Sequence, residues 1–318
     1  MDSGSPSSSS ALKGIGLVAL AWAIWSLDPI AIKVVGDQAS RLAVSSLSAL
    51  AAALALSPSM VRLVRRWVAL NGRDRWLLLA QCLLFTALAD VCYVSALLYL
   101  HPGVVSAVLR SQVAIAVVMA MLFLRERMNR LSAAGVFIIV ASNIGVFAAS
   151  LSAAGGKAGA WGWPLAFGAA ILWAGGTVAG KHLLTVIRPS ELIAARQALS
   201  GAAVLIAALC IEGPGVYASL TLKQWLLLAG KGVCISALAY VLYSHGLKLV
   251  AVYVASAMEP LASVYTTLIA VFFLGQPVSL ASAACVAVLL AGTFIVIAGN
   301  MTRRAAALPV LGEGKPSR

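Results

Sequence analysis

Charge is scarce in this chain, and negative charge is the scarcest. Only 10 of the 318 residues are Asp or Glu, 23 are Lys or Arg, and charged residues make up 10% of the sequence. Soluble globular domains carry about 25% charged residues, so this composition excludes the soluble class. Because acids are so few and so costly in an apolar segment, each acid found in one requires an explanation.

The sequence also lacks the motifs that would support catalysis or nucleotide-driven work. It holds three histidines, no HExxH zinc motif, no GxxxxGKS phosphate-binding loop and no loop long enough for a catalytic domain. The cysteines fall in apolar segments without CxxC spacing, which favours packing residues over disulfides or a metal site. They are Cys82, Cys92, Cys210, Cys234 and Cys285. We predict that the protein is not an enzyme and has no catalytic residue, metal or cofactor.

Long hydrophobic runs dominate what is present. Hydrophobic residues make up 62% of the chain and the mean hydropathy is +0.98, and about 20 apolar residues suffice for a helix to cross a bilayer. We count ten such runs and name them spans one to ten: 14–36, 40–57, 76–99, 102–124, 131–149, 161–183, 191–211, 225–248, 251–274 and 280–299. We predict an all-α polytopic protein with ten transmembrane helices in a lipid bilayer.

The basic residues lie mainly on one side of these spans. They crowd the loops after spans two and four and follow span ten, whereas loops of opposite parity hold little beyond Arg41, Lys157 and Lys223. This asymmetry is the positive-inside pattern. It predicts a multi-pass protein of the cytoplasmic (inner) membrane with both termini in the cytoplasm. The net charge of +13 therefore sets orientation, and we expect no nucleic-acid partner.

The two halves of the chain share one register. An ungapped shift of 150 residues superposes identical residues in three successive hydrophobic segments: parts of 87–93 on 237–243, 104–107 on 254–257, and 132–134 on 282–284. Since each copy holds five spans, the second enters the membrane in the opposite sense, which gives two inverted five-helix repeats with a substrate site between them. The predicted organisation is a disordered tail (1–12), the first repeat (13–149), a linker (150–160), the second repeat (161–300) and a cytoplasmic tail (301–318).

Spans one and nine each contain an acid followed by proline, Asp28-Pro29 and Glu259-Pro260. Proline disfavours helix at the preceding residue and removes a backbone donor, so both spans should bend or open there. Carbonyls freed in this way are tolerated within a membrane only against protein or water. Two ordinary kinks with satisfied acids are the plainer interpretation. Because intramembrane acids are costly and usually functional, we favour a site.

Further charged residues lie inside predicted spans, among them Asp90, Arg110 and Lys231. Asp90 and Arg110 lie about ten residues before and after the turn between spans three and four, so they reach similar depth on antiparallel helices. A structural ion pair and a substrate role both stay open, and Arg110 suits bidentate binding of a carboxylate. Lys231 lies near the outer end of span eight, where we expect it to extend to the lipid headgroups.

The candidate substrate-binding residues combine these charges with aromatic side chains. They are Trp25, Asp28, Asp90, Tyr93, Arg110, Trp173, Tyr240, Tyr243, Glu259 and Tyr265. Asp28 and Glu259 are also the candidates for proton coupling, because burial favours the neutral form of a carboxylic acid.

The chain resembles the drug/metabolite transporter superfamily, and within it the EamA-type branch. The resemblance spans about residues 14–300 and is carried by Trp173 to Lys181, Met258-Glu259-Pro260, Phe123-Leu124-Arg125-Glu126 and the related segment ending in Gln276-Pro277. It implies a central cavity lined by spans one, three, four, six, eight and nine, with spans five and ten outside it. Asp28, Asp90 and Arg110 depart from the family's common pattern and would encode this member's own substrate.

These features lead to one main functional hypothesis and one alternative. The first is a secondary transporter that exports a small zwitterionic metabolite, an amino acid or an opine-like derivative, by alternating access and in exchange for protons. Acids would hold the amine and Arg110 the carboxylate. The alternative is a carrier for a choline-like organic cation or drug, held by cation–π contacts with Trp and Tyr. The sequence leaves the oligomeric state open, a homodimer included.

Overall fold

The computed structural model describes residues 8–36, 39–100, 102–153, 159–262, 264–265, 268–269 and 280–306, and all regular elements within these ranges are helices. Span one comprises Ser8–Trp25 and Asp28–Val35, and span four comprises Pro102–Leu109 and Gln112–Phe123. Span nine begins with Val252–Ala257. The other spans, in order, are Arg41–Ala55, Gly72–Tyr99, Arg130–Ala153, Gly162–Leu183, Pro189–Ile211, Leu222–Leu249 and Leu280–Ala306.

The prediction of an all-helical polytopic membrane protein is confirmed. Seven of the described helices are long and apolar enough to cross a bilayer, or eight if Arg41–Ala55 and Ser57–Ala69, bent by 74°, form one span. Arg130–Gly145 is a shorter apolar helix. Much of span nine lies outside the described residues, so the described helices are compatible with ten crossings.

Helices at both ends of the chain extend further than expected. Span one is already helical at Ser8, inside the Ser-rich stretch, and Ala11 is fully buried. The final helix continues to Ala306. Residues 1–7, residues 154–158 of the linker, Gln276 and the tail from 307 lie outside the described residues.

The register of 150 residues reappears in the helices themselves. Helices begin at Gly72 and Leu222, and the helices of spans four and nine, described from Pro102 and Val252, lie in the same register. Spans three and eight also widen into π-helical segments at matching places, Leu83–Leu88 and Gly232–Ala237. A π-helical segment is rare and is found mostly at functional sites, so its repetition shows that both copies share one backbone design.

The helices of the two halves pack against each other in equivalent pairs. Span one packs against span eight, and span six packs against span three, so that each half covers the other in the same way. Span two pairs with span seven, and span five pairs with span ten. The interface between the halves therefore runs through the centre of the molecule, where a midplane site would lie.

Three spans are broken, and both predicted breaks are present. The helix of span one ends at Trp25 and resumes at Asp28, and that of span nine turns at Met258 and Glu259. Span four breaks at Arg110 and Ser111 without a proline. In the shared register, Arg110 is equivalent to Pro260, so the first copy keeps the break that proline makes in the second.

Polar groups on the neighbouring helices satisfy the freed carbonyls at two breaks. Asn143 Nδ2 of span five donates to the Arg110 carbonyl at 3.4 Å, and Thr293 Oγ1 of span ten donates to the Ala257 carbonyl at 2.8 Å. Asn143 and Thr293 are 150 residues apart and thus occupy equivalent positions. The Arg110 carbonyl also accepts from the Val113 N–H at 3.4 Å. Since an unpaired carbonyl in lipid costs several kcal/mol, these bonds make the breaks tolerable.

Close approach of the helices depends on glycine. A methyl group at Gly246 would lie 2.8 Å from the Gly14 carbonyl, where spans eight and one cross. At Gly232, where span eight meets span two, a methyl group would lie 2.7 Å from Ala51 Cβ. Because helices in lipid associate through van der Waals packing rather than through the hydrophobic effect, small residues at crossings set how tightly the halves join.

Gly232→Ala should therefore destabilise the folded protein. We expect a loss of about 1–3 kcal/mol, the usual cost of an added methyl group in a packed interior, read as a lower thermal unfolding midpoint in detergent. Gly230→Ala is the matched control, because nothing lies within 4 Å of a methyl group there and alanine is the better helix former. Equal midpoints for the two variants would contradict this packing.

Candidate functional site

A cavity of about 610 Å³ lies between the two halves. Its volume is in the range of pockets that bind small organic molecules. Described residues of the six expected spans line it, and so do residues of spans two and seven, such as Ser45 and Arg196, and Asn143 of span five. The predicted lining was therefore incomplete, because it omitted spans two, five and seven. The breaks and the helix pairings bring polar side chains of these three spans to the cavity.

The structure brings nine of the ten candidate residues into the lining of this one cavity: Trp25, Asp28, Asp90, Tyr93, Arg110, Trp173, Tyr240, Tyr243 and Glu259. Tyr265 lies on the continuation of span nine and is not among the described lining residues. Binding by any of these residues stays a prediction, but their convergence is the arrangement that it requires.

Asp28 of the first copy forms an ion pair with Lys231 of the second. The Lys231 ammonium nitrogen is 2.8 Å from Asp28 Oδ1, and the lysine side chain is only 9% exposed. The expectation that Lys231 extends to the headgroups was wrong, because the break in span one presents a carboxylate to it. Removing Asp28 would leave the buried ammonium group of Lys231 without a compensating charge, which is strongly unfavourable.

Asp90 is held by hydrogen bonds rather than by Arg110. Trp173 Nε1 donates to its Oδ1 at 3.2 Å, and Ser45 Oγ donates to its Oδ2 at 3.5 Å. Two cations attract this carboxylate electrostatically, Arg196 with the larger effect and Lys231 with the smaller. Of the two alternatives for Asp90 and Arg110, the structural ion pair does not occur among the ion pairs of the described residues.

Arg110 is instead electrostatically attracted to Glu259, across the interface of the two halves. Both residues lie at the breaks of their spans, which are equivalent in the two copies. The Glu259 carboxylate forms no hydrogen bond or ion pair with the described residues. It is thus the cavity acid with the fewest partners in the described part of the chain.

Aromatic rings form two clusters in the lining. Trp25 lies 4.8 Å from Trp22, 4.7 Å from Tyr240 and 5.3 Å from Tyr243, measured between ring centroids. The second cluster pairs Tyr93 with Trp173 at 5.5 Å. Distances of this size are typical of packed aromatic pairs. The first cluster joins span one to span eight, and the second joins span three to span six, so both cross between the halves.

Arg196 of span seven is, like Lys231, a charged residue of the cavity lining that the candidate set misses. Its guanidinium carbon lies 4.2 Å from the centroid of the Tyr240 ring, within cation–π distance. One signal was available, since an arginine inside a transmembrane segment is functional by default. Only the packing of span seven against span eight, however, places this side chain in the lining.

One end of the cavity is closed at the turn between spans eight and nine. The backbone N–H groups of Val252 and Tyr253 donate to Glu126 at 2.8 and 3.4 Å. Lys181 Nζ donates to the carbonyls of Leu247 and Val250 at 2.5 and 2.6 Å. An anion at a helix N-terminus and a cation at a helix C-terminus are both stabilising.

The closure is completed by buried leucines. Leu184 and Leu247 line this end of the cavity and are only 1% and 3% exposed. The opposite end of the lining contains Gly36 and the exposed Arg41. The closed end is therefore on the side of the Arg-rich loops.

A tight helix end aims Glu126 at the turn. Span four stops at Phe123, Arg125 adopts a φ of 54°, and the Glu126 N–H donates back to the Ala120 carbonyl at 3.2 Å. A left-handed residue just after the last turn is a common way for a helix to end and for the chain to change direction. Burial raises the pKa of Glu126, and the hydrogen bonds from Val252 and Tyr253 oppose that rise.

Comparison with known proteins identifies both halves. A model of the EamA-like transporter family matches residues 12–148 and again residues 160–298. The two matches coincide with the two copies found by the shift of 150 residues. No curated protein matches the chain.

The fold itself has counterparts among solved structures, of which 28 chains match. One of them, described only as "Crystal structure of protein", is 19% identical in sequence, with a TM-score of 0.70, over 91% of this chain and 97% of that chain. At this level of identity the likeness shows the fold alone.

Replacement of Glu126 tests the closure. We expect Glu126→Ala to lower stability by about 1–3 kcal/mol, because two backbone donors lose their acceptor. Since burial raises the pKa of Glu126, its charge is disfavoured in the folded state and the stability of the wild type falls as the pH rises through that pKa. Glu126→Gln, which keeps one acceptor and carries no charge, should therefore cost less than Glu126→Ala at neutral pH.

The measurement is thermal unfolding of the purified variants at several pH values. Arg127→Ala is the control, because its side chain is exposed beside the same turn. If Glu126→Ala and Arg127→Ala unfold at the same temperature as the wild type, Glu126 does not hold the turn.

Proposed function

Because this chain belongs to the EamA-like transporter family, we propose that it is a secondary transporter that exports a small zwitterionic metabolite by alternating access. Proteins of this family are membrane transporters rather than enzymes. An amino acid or an amino-acid derivative is the cargo class proposed. The proposal includes the cytoplasmic (inner) membrane as the location, with both termini in the cytoplasm.

The observation that carries this proposal is the balance of charge in the cavity. Its described lining holds three acids, Asp28, Asp90 and Glu259, and four bases, of which Arg41 is exposed at one end. The remaining bases are Arg110, Arg196 and Lys231. Equal numbers of each sign in the interior favour a cargo that carries both charges and has little net charge, because an unbalanced charge in a low-dielectric cavity is costly.

The three acids of the cavity differ in the ion-pair and hydrogen-bond partners that hold them. Asp28 is paired with Lys231, and Asp90 accepts hydrogen bonds from Trp173 and Ser45. Glu259 has no such partner among the described residues. We therefore assign the cargo's amine, and the proton exchanged for it, to Glu259. Amine and proton would compete for one carboxylate, which is the requirement for antiport.

An organic cation is the second candidate cargo, and the aromatic cluster of Trp22, Trp25 and Tyr243 favours it. Rings of this kind hold quaternary amines through cation–π contacts. Against this candidate, Arg196 already covers the face of Tyr240, and two further bases line the interior. A bare cation would be repelled by these groups.

A ligand screen should separate the two cargo classes. We expect amino acids or their conjugates to raise the thermal unfolding midpoint of the purified protein, because a ligand that binds only the folded state stabilises it in proportion to RT ln(1 + [L]/Kd). Quaternary amines without a carboxylate are the comparison compounds. Stabilisation confined to those amines would overturn the zwitterion proposal and favour the cation.

Proton coupling is tested by flux into proteoliposomes. Glu259→Gln should lose accumulation driven by a pH gradient, because the side chain no longer binds a proton. The double variant Asp28→Asn/Lys231→Gln removes a charge pair without leaving one charge alone, and it should still respond to the gradient. If Glu259→Gln responds to the gradient like the wild type, coupling through this residue is excluded.

A further inference from the structure

Arg196 carries hydrogen-bonding capacity that the described residues leave unused. Its Nε is buried without a hydrogen-bond partner in the described part of the chain. The ion pairs among the described residues involve Arg66, His182 and Lys231, and none involves Arg196. A buried charged donor without a partner is costly and is retained where a ligand or a function uses it.

The side chain is nevertheless held in place. Arg196 lies in the second turn of Pro189–Ile211, half-buried between Ala195, which is 1% exposed, and the buried Gln197. Its guanidinium lies over the Tyr240 ring. This contact and a hydrogen bond to the Tyr240 side chain hold the guanidinium, while its Nε–H has no partner among the described residues.

The other two interior bases are engaged elsewhere. Lys231 is paired with Asp28 at 2.8 Å. Arg110 is electrostatically attracted to Glu259. Asp90, on which Arg196 has a larger electrostatic effect than Lys231, accepts its hydrogen bonds from Trp173 and Ser45. Arg196 therefore keeps one buried donor, Nε, that an anion can use without breaking a hydrogen bond among the described residues.

We infer that Arg196, rather than Arg110, binds the carboxylate of the cargo, and that Tyr240 positions it. The inference rests on the proposed function in taking the cargo to carry a carboxylate. A guanidinium presents parallel N–H donors that match the two oxygens of a carboxylate, so planar carboxylates are the ligand class expected. The amine of the same cargo would then lie toward Glu259. Glu259 interacts electrostatically with Tyr243, which lies one helical turn along span eight from Tyr240.

The test compares ligands that differ in one group. The probes are the common amino acids, each beside its amide, which lacks the carboxylate, and its desamino acid, which lacks the amine. We expect the wild type to bind at least one amino acid about tenfold or more tightly than the amide. In Arg196→Gln this ratio should fall to near one while the affinity for the amide is unchanged, and Arg196→Lys should be intermediate.

Variants of Tyr240 and Arg110 distinguish the loss of a specific contact from a folding defect. Tyr240→Phe keeps the ring and should keep the ratio, whereas Tyr240→Leu removes the platform and should lower it. Thermal unfolding without ligand identifies any variant that is misfolded. Arg110→Gln is the comparator, and it should retain the preference for the acid over the amide.

The outcomes separate this inference from the proposed function. Loss of the preference in Arg110→Gln and its retention in Arg196→Gln would overturn the inference and leave a zwitterionic cargo intact. Desamino acids that bind as well as amino acids, with a loss in Arg196→Gln, would support the inference and overturn the zwitterion. If no carboxylate compound stabilises the wild type, both are overturned.

Discussion

A charge inside a bilayer has to meet an opposite charge, a hydrogen bond or water, and this constraint governs how the two halves of the molecule meet. Asp28 of the first half pairs with Lys231 of the second, and Asp90 of the first accepts from Trp173 of the second. Because these partners lie on opposite halves, the central interface is polar where an ordinary helix bundle is apolar. A cavity at that interface is the consequence.

The broken helices obey the same constraint at the level of the backbone. Asn143 and Thr293 occupy equivalent positions on spans five and ten, and each donates to a carbonyl at the break of the neighbouring span. The outer helices therefore support the irregular backbone that the cavity needs. At the closed end, Glu126 of the first half bonds to Val252 at the start of span nine, so the closure also crosses between the halves. Movement of one half against the other would have to break this bond.

Much of this arrangement is predictable from local rules, because proline and buried charge act where they stand in the chain. The breaks at Asp28-Pro29 and Glu259-Pro260 follow from the missing proline donor. The break at Arg110 has no such signal, and it emerges only from the shared register of the two copies. The partners of Lys231 and Asp90 were not predictable, since depth along a helix says nothing about which of several neighbouring helices a side chain faces.

By itself the sequence determined the helical class, the orientation signals, the repeat and the set of residues too polar for lipid, because hydropathy and periodicity are properties of each segment alone. The tertiary structure decided which charges pair, which carboxylate is left without a partner among the described residues, and that Arg196 lies over Tyr240 in the cavity. These outcomes depend on helix rotation and on the angles at which spans cross. Both are set by contacts between residues far apart in the chain, such as Gly14 with Gly246.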